Sequence, residues 1–182
     1  MNEQHVPLET YKENLAKIVT HPNIAAHGAK IFLVTPPPLN EKQWEQWELA
    51  KGIAPVTRHA KTSAVYSAAA REVGADLVAR GLVTAVIDLY TGIMERALEK
   101  TPDFEGQLTG ADGRRLLLGD PESGVRGGYL DHLMSDGLHL GSESYRIFYD
   151  LVKPHLDSEW AGTPEQDNVG YVLPGWRDLK KD

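Results

Sequence analysis

Two short apolar runs, at residues 31–34 and 82–90, constrain the fold of this chain more than any other feature. Both are rich in branched side chains, and three consecutive prolines follow the first. Continuous apolar runs of this length are typical of strands buried on both faces of a parallel sheet. The stretch between them carries a helical pattern, which is the connection that parallel strands need. We therefore predict an α/β fold.

Helical patterns surround the two predicted strands. We predict helices at 7–20 and 91–100, the second capped by Thr91, and a short helical excursion that carries Trp44 and Trp47. A long Ala-rich helix at 58–80, open to an interruption at Gly74, is predicted to turn inward a stripe of Val65, Ala68, Ala69, Val73 and Leu77. A last helix, capped by Ser142 and ended near Pro154, is predicted to bury Tyr145, Phe148, Leu151 and Val152.

Length and composition predict one domain over residues 1–182. The glycine- and charge-rich stretch 104–128 is expected to be a surface insertion, and 161–182 an irregular tail.

The net charge of −7 argues against nucleic acid or an anionic membrane as partner, and no apolar run approaches the length of a membrane span. The chain has no cysteine, which excludes disulfides, and no signal peptide is apparent, so cytoplasm is the default location.

The stretch "MSDGLHLGSESY" at 134–145 carries the clearest chemical signal. Asp136 and His139 are three residues apart, and Gly137 between them can supply the turn that brings the two side chains together. A carboxylate beside one ring nitrogen leaves the other nitrogen free to act as a general base. This pattern makes Asp136 and His139 the candidate catalytic residues.

Plainer interpretations stay open at this site and at others. Asp136 alone can cap a turn beside a surface histidine, and a metal site has four candidate ligands, Asp131, His132, Asp136 and His139. Trp44 and Trp47 can line an acyl pocket or simply pack together. For the remaining polar candidates, a turn, a helix start or surface solvation is the favoured interpretation: Asp88, Arg58, His59 and the basic stretch 113–115.

Six separated stretches together resemble a known family. "DGLHL", "IFLVTPPPLNEKQW", "HVPLETYKENL", "RHAKTSAVYSAAAREVG", "VIDLYTGIM" and "PGWRDL" resemble the GDSL or SGNH ester hydrolases, and most of all the isoamyl-acetate-hydrolysing branch. The resemblance implies a three-layer α/β/α fold with a mostly parallel five-stranded sheet. It also implies that Asp136 and His139 form the Asp-x-x-His block. Such enzymes need no cofactor, because the nucleophile is a serine.

Three other blocks expected from the resemblance are not in this chain: the Gly-Asp-Ser serine, an oxyanion-hole glycine and the Gly-x-Asn-Asp asparagine. None of the seven serines stands in Gly-Asp-Ser or Gly-x-Ser-x-Gly. We therefore expect a chain truncated at its N-terminus, without the first strands of the sheet. The resemblance implies an esterase that acts on short-chain esters, but we expect this chain to be inactive by itself.

The alternative is a non-catalytic relative that binds a partner or a small acyl ligand. In either case the edge of the strand at 31–34 is expected to be open and apolar. A second copy of the chain, or another partner, is predicted to cover that edge. The predicted small-molecule partner is an ester substrate.

Overall fold

The structure is a computed structural model that describes residues 5–53, 57–104, 117–123 and 127–156. The predicted tail at 161–182 lies outside these residues, as do the basic stretch 113–115 and most of the predicted insertion at 104–128. In chain order, the main elements are α1 (Leu8–Val19), α2 (Pro22–Ala25), β1 (Phe32–Val34), α3 (Glu41–Ala50), α4 (Ala60–Ala79), β2 (Ala85–Ile87), α5 (Leu89–Glu99), α6 (Leu130–Leu133) and α7 (Ser142–Val152).

The two strands pair in parallel, with Leu33 opposite Val86, which confirms the predicted α/β class. Within the described ranges the sheet has these two strands, and β1 pairs with β2 on one edge. The expected covering of the other edge by a partner stays a prediction. None of the described helices is long and apolar enough to cross a bilayer.

The second strand is shorter than predicted because a helix begins inside the apolar run. Asp88 is the N-cap of α5, and its carboxylate accepts a hydrogen bond from the Thr91 N–H at 3.2 Å. The prediction that Thr91 is the cap was therefore wrong. A carboxylate three residues before a free N–H satisfies that donor, and Leu89 and Tyr90 then belong to the first turn of α5.

Helix α4 runs without interruption through Gly74, contrary to the break considered from the sequence. A Cβ atom at Gly74 would lie 2.5 Å from Val86 Cγ2, so the glycine allows the helix to lie close against β2. The inward stripe is also shifted from the prediction, since Val65 and Ala68 are exposed. Small side chains define the face that approaches the sheet, and the buried row is Ser67, Ala70, Gly74 and Leu77.

On the other side, α5, α6 and α7 enclose the larger hydrophobic cluster, with Ile93, Ala97 and Leu130 fully buried. Helix α7 begins one residue after its N-cap Gly141, so Ser142 is not the cap that was predicted. Tyr145 is 60% exposed, which contradicts its predicted inward orientation. The Ser144 hydroxyl is buried and donates to the Leu133 carbonyl at 2.7 Å, which turns Ile147, Phe148 and Leu151 toward the cluster.

Candidate active site

The Asp136–His139 pair lies on a tight hairpin between α6 and α7. The Ser135 N–H donates to the His139 carbonyl at 2.8 Å, and Met134 and Leu140 form an antiparallel bridge. Gly137 stands within the hairpin with φ of +95°, in the left-handed region that glycine tolerates best. The turn predicted at Gly137 is therefore confirmed. Because α7 begins at Ser142, the hairpin is joined directly to a packed helix.

Asp136 uses both of its carboxylate oxygens within this hairpin. Oδ2 lies 2.8 Å from His139 Nδ1. Oδ1 accepts hydrogen bonds from the backbone N–H groups of Leu138 at 3.0 Å and His139 at 2.9 Å. One carboxylate therefore orients the imidazole ring and also fixes the backbone that carries the ring.

The other ring nitrogen of His139 is accessible. A carboxylate partner at Nδ1 favours the tautomer with the proton on Nδ1, which leaves the lone pair on Nε2. The side chain is 68% exposed, and Nε2 has no hydrogen-bond partner among the residues that the structure describes. A free, oriented nitrogen of this kind can accept a proton from a hydroxyl group brought to it.

The electrostatics of Asp136 favour its charged form. Partial burial pushes the pKa of the carboxyl up, but hydrogen bonds from the His139 backbone and ring and from the Leu138 N–H outweigh that effect. The pKa of Asp136 is therefore held below its ordinary value. Asp136 is ionised at neutral pH and can stabilise a protonated ring beside it.

No serine in the described part of the chain is hydrogen-bonded to the His139 ring. Ser135 is the nearest in sequence, and its hydroxyl donates to the His139 backbone carbonyl at 3.2 Å. Ser63 donates to the Pro37 carbonyl and Ser144 to that of Leu133, while Ser67 is buried in α4 without a partner. Ser158 lies outside the described residues.

The four residues considered as metal ligands do not converge. Asp131 accepts a hydrogen bond from the Asn40 amide at 2.5 Å, and His132 Nε2 lies 3.7 Å from the Glu143 carboxylate. No group of three histidine, aspartate or glutamate side chains suited to a metal occurs among the described residues. The alternative of a metal site built on this segment was therefore wrong.

The remaining polar candidates have local partners. Asp88 forms an ion pair with Arg71, with 2.7 Å between Oδ2 and Nε, and accepts from the Thr35 hydroxyl at 3.1 Å. Burial raises the pKa of Asp88, but hydrogen bonds from Arg71 and Thr91 outweigh it and keep the pKa below its usual value. Asp88 therefore ties the carboxyl ends of both strands to α4 and α5, in agreement with the local interpretation.

Sequence reasoning missed a second carboxylate–imidazole pair. Glu41 Oε1 lies 2.8 Å from His59 Nδ1, and Oε2 accepts from the Ala60 N–H at 2.8 Å. Glu41 and His59 are 18 residues apart and belong to different elements, so no local motif signals the contact. The pair joins the first turn of α3 to the start of α4.

The two tryptophans of α3 pack against each other. The Trp44 and Trp47 rings stack with centroids 4.5 Å apart, and Trp44 is buried. The Lys51 ammonium lies 3.6 Å from the Trp47 ring centroid, and the Arg58 guanidinium lies 5.9 Å from that of Trp44. These contacts support local packing rather than the acyl pocket considered from the sequence.

Known proteins align in sequence with almost the whole chain. The chain is 28% identical over 181 residues to the isoamyl acetate-hydrolyzing esterase 1 homolog of Mus musculus. This alignment covers 98% of the chain and 55% of the relative. The chain is 24% identical over 169 residues to a GDSL esterase/lipase of Arabidopsis thaliana, covering 91% of the chain and 55% of that protein. These similarities support the assignment of the chain to the GDSL/SGNH ester hydrolases.

The chain spans about half the length of the curated relatives it matches. The rat protein of the same name is 27% identical over 180 residues, again covering 98% of the chain. No protein-family model matches the chain. The similarity to these esterases is consistent with the α/β fold described above.

Proposed function

We propose that this chain carries the acid–base pair of a carboxylic ester hydrolase, with His139 as the general base and Asp136 as the carboxylate that orients it. The observation that carries the proposal is the 2.8 Å contact between Asp136 Oδ2 and His139 Nδ1, which leaves Nε2 exposed. In hydrolases of this kind, the imidazole takes the proton of a hydroxyl nucleophile and later gives it to the leaving group.

The proposed reaction has two steps. First, His139 Nε2 takes the serine proton while the serine oxygen attacks the ester carbonyl carbon, and the protonated ring then gives that proton to the departing alcohol. Next, water attacks the acyl-serine with the same ring as base, which releases the carboxylic acid and regenerates the serine. In both steps the Asp136 carboxylate stabilises the imidazolium that forms.

We further propose that the nucleophile belongs to a Gly-Asp-Ser segment that these 182 residues do not contain. On this proposal, the chain alone hydrolyses esters at close to the uncatalysed rate. Catalytic groups that act as a unit lose most of their effect when one is missing. This view is supported because none of the serines that the structure describes is hydrogen-bonded to the His139 ring.

The proposed substrates are esters of short carboxylic acids. The name of the mouse and rat relatives, isoamyl acetate-hydrolyzing esterase homolog, supports an acetate ester of a small branched alcohol as the first substrate to test. Chemically, the pair on the hairpin acts on the hydroxyl nucleophile and the ester oxygen, so the acyl length must be set elsewhere in the site.

The test compares the 182-residue chain with the full translation product of its natural gene. Both are assayed with nitrophenyl acetate, butyrate and octanoate and with isoamyl acetate. We expect a product that contains Gly-Asp-Ser to prefer the short esters, and the chain alone to remain near background. In the active product, His139→Gln should lower kcat by about 10³-fold or more.

His59→Gln is the matched control, because this ring also contacts a carboxylate at 2.8 Å but belongs to a helix-start contact. It should leave kcat within about twofold of the parent value. A fast reaction by the chain alone that depends on one of its own serines would overturn the missing-nucleophile proposal. An active product indifferent to His139→Gln would overturn the role of the hairpin.

A further inference from the structure

Asn40 lies where the carboxyl end of β1 leads into α3. The connection from Thr35 passes through Pro36, Pro37 and Pro38, whose rings fix φ and make this segment stiff. The Ser63 hydroxyl of α4 donates to the Pro37 carbonyl at 2.5 Å, which holds the segment against that helix. Asn40 at its end is fully buried, with 0% of its surface exposed.

The polar groups of Asn40 bind three separate segments. Its carboxamide Nδ2 donates to Asp131 Oδ1 at 2.5 Å, and its Oδ1 accepts from the Gln43 N–H at 3.3 Å. Its backbone N–H donates to the Gly137 carbonyl at 2.9 Å. Asn40 therefore contacts Gly137 within the hairpin, as well as α6, which leads into the hairpin.

Three glycines with positive φ close around Asn40: Gly119, Gly127 and Gly137. A Cβ atom at Gly119 would lie 3.0 Å from Asn40 Cα, and one at Gly137 would lie 2.6 Å from the Asn40 carbonyl oxygen. A Cβ atom at Gly127 would collide with Asn40 Nδ2. Three loops thus approach one buried residue, two of them at its backbone and one at its carboxamide, more closely than a side chain at the glycine positions would allow.

We propose that Asn40 is a positioning residue that holds the Asp136–His139 hairpin in the geometry in which the carboxylate contacts the ring. The proposal rests on the function proposed above for the pair. Asn40 acts at two points, because its backbone fixes the Gly137 carbonyl at the turn and its carboxamide fixes Asp131 ahead of the hairpin. No contact of Asn40 with the reacting atoms is needed.

The competing explanation is that Asn40 is only the N-cap of α3. That role accounts for the bond from the Gln43 N–H but not for the donor bond to Asp131. Aspartate and asparagine are about equally good N-caps. Asn40→Asp therefore keeps the cap and the volume while it removes the Nδ2 donor and places a second carboxylate against Asp131.

The experiment measures backbone hydrogen exchange by NMR in the 182-residue chain. The reporters are the N–H groups of Leu138 and His139, which donate to Asp136. The reference amides are Thr35 and Thr84, which donate across the sheet to Ile87 and Ile31. In Asn40→Asp we expect reporter exchange to rise about tenfold while the reference amides change less than about twofold.

The double variant Asn40→Asp with Asp131→Asn reverses donor and acceptor and should return reporter exchange to within about threefold of the parent. Asn23→Asp is the matched control, since Asn23 is exposed on α2, and it should change neither set. Rescue by the reversed pair separates a specific hydrogen bond from a general loss of packing.

Unchanged reporter exchange in Asn40→Asp would reduce Asn40 to a helix cap and overturn the proposal. An equal rise in hydrogen exchange at the reporter and reference amides, not rescued by Asp131→Asn, would overturn it as well.

A second variant covers the case in which Asn40→Asp does not fold. Asp131→Ala removes the same acceptor from an exposed position and should raise reporter exchange about threefold. No rise would overturn the proposal. These measurements need no substrate, so they stand apart from a failure of His139→Gln to slow ester hydrolysis.

Discussion

The Asp136–His139 pair and the Glu41–His59 pair have the same contact distance, 2.8 Å from a carboxylate oxygen to Nδ1. Both rings are more than half exposed, and both carboxylates are mostly shielded from solvent. The pairs differ in what the second carboxylate oxygen binds. For Asp136 it is the backbone of the ring's own hairpin, and for Glu41 it is the first N–H of α4.

The second oxygen distinguishes a structural pair from a candidate catalytic one. The contacts of Glu41 join two helices and satisfy a free helix N–H, so the fold alone accounts for them. All the contacts of Asp136 serve the loop that presents His139. A short carboxylate–imidazole distance is therefore not enough to indicate a general base, and the use of the remaining oxygen is the better guide.

The largest expected effect is on kcat, which should depend on the carboxylate of Asp136 and not on that of Glu41. In the ester-hydrolysing product, Asp136→Asn should lower kcat by about 10²–10⁴-fold, because the amide cannot stabilise the imidazolium. Glu41→Gln should leave kcat within about twofold. Steady-state kinetics with nitrophenyl acetate measures both, and equal losses in the two variants would abolish the distinction between the pairs.

The next effect tests how the hairpin is built. Gly137→Ala should lower the free energy of unfolding by about 2–4 kcal/mol, since it adds backbone strain and steric overlap. The new Cβ would lie 2.5 Å from the Trp44 backbone nitrogen at a φ of +95°. Urea denaturation followed by far-UV circular dichroism gives the value.

Gly52→Ala is the control for that experiment. Gly52 has φ of +73°, and a Cβ atom there would have nothing within 4 Å, so the substitution isolates the cost of the left-handed backbone, about 1 kcal/mol. If both substitutions destabilise the chain equally, the close approach of the hairpin to α3 contributes nothing. The Glu41–His59 contact should survive in both variants.

A smaller effect is expected on the Glu41 side. Glu41→Ala should destabilise the chain by about 1 kcal/mol, because the Ala60 N–H loses the acceptor that caps α4. His59→Ala should change stability by less than about 0.5 kcal/mol, since exposed ion pairs contribute little. Thermal or urea unfolding of both variants checks this order, and a larger effect of His59→Ala would make the ring, rather than the cap, the important member.

The same comparison shows what the sequence can predict. Asp136, Gly137 and His139 are adjacent in the chain, so their turn and contact follow from local chemistry and were predicted. Glu41 and His59 meet only because α3 and α4 pack together, and nothing in either segment signals it. The role of Asn40 was missed for the same reason, since Asp131 and the glycines around it lie about 80 to 100 residues further along the chain.

Errors in the elements have a similar cause. The two strands, the helices and the parallel class follow from apolar runs and periodicity. The buried face of α4 was predicted wrongly because Gly74 and its small neighbours, and not the larger Val65, pack against the sheet. The inward face of α7 depends on the bond from Ser144 to Leu133, a tertiary contact that outweighs the apolar character of Tyr145.

The smallest effect is a pH dependence that belongs to the Asp136 pair. The folded-state pKa of Asp136 lies below its unfolded value of about 3.9, so its stabilising contribution is present above that pH. The contribution is lost as pH falls through the lower, folded pKa. Asp136→Asn retains an acceptor for the loop N–H groups but does not titrate.

The free energy of unfolding of the parent minus that of Asp136→Asn should therefore shrink as pH is lowered from about 5 to about 3. Asp88 also has a lowered pKa, but it is present in both proteins and so cancels from the difference. Urea denaturation at several pH values gives the two curves. A constant difference over this interval would mean that the hydrogen bonds to Asp136 do not favour its charged form. The hairpin would then merely turn the chain, and it would not hold an ionised partner for His139.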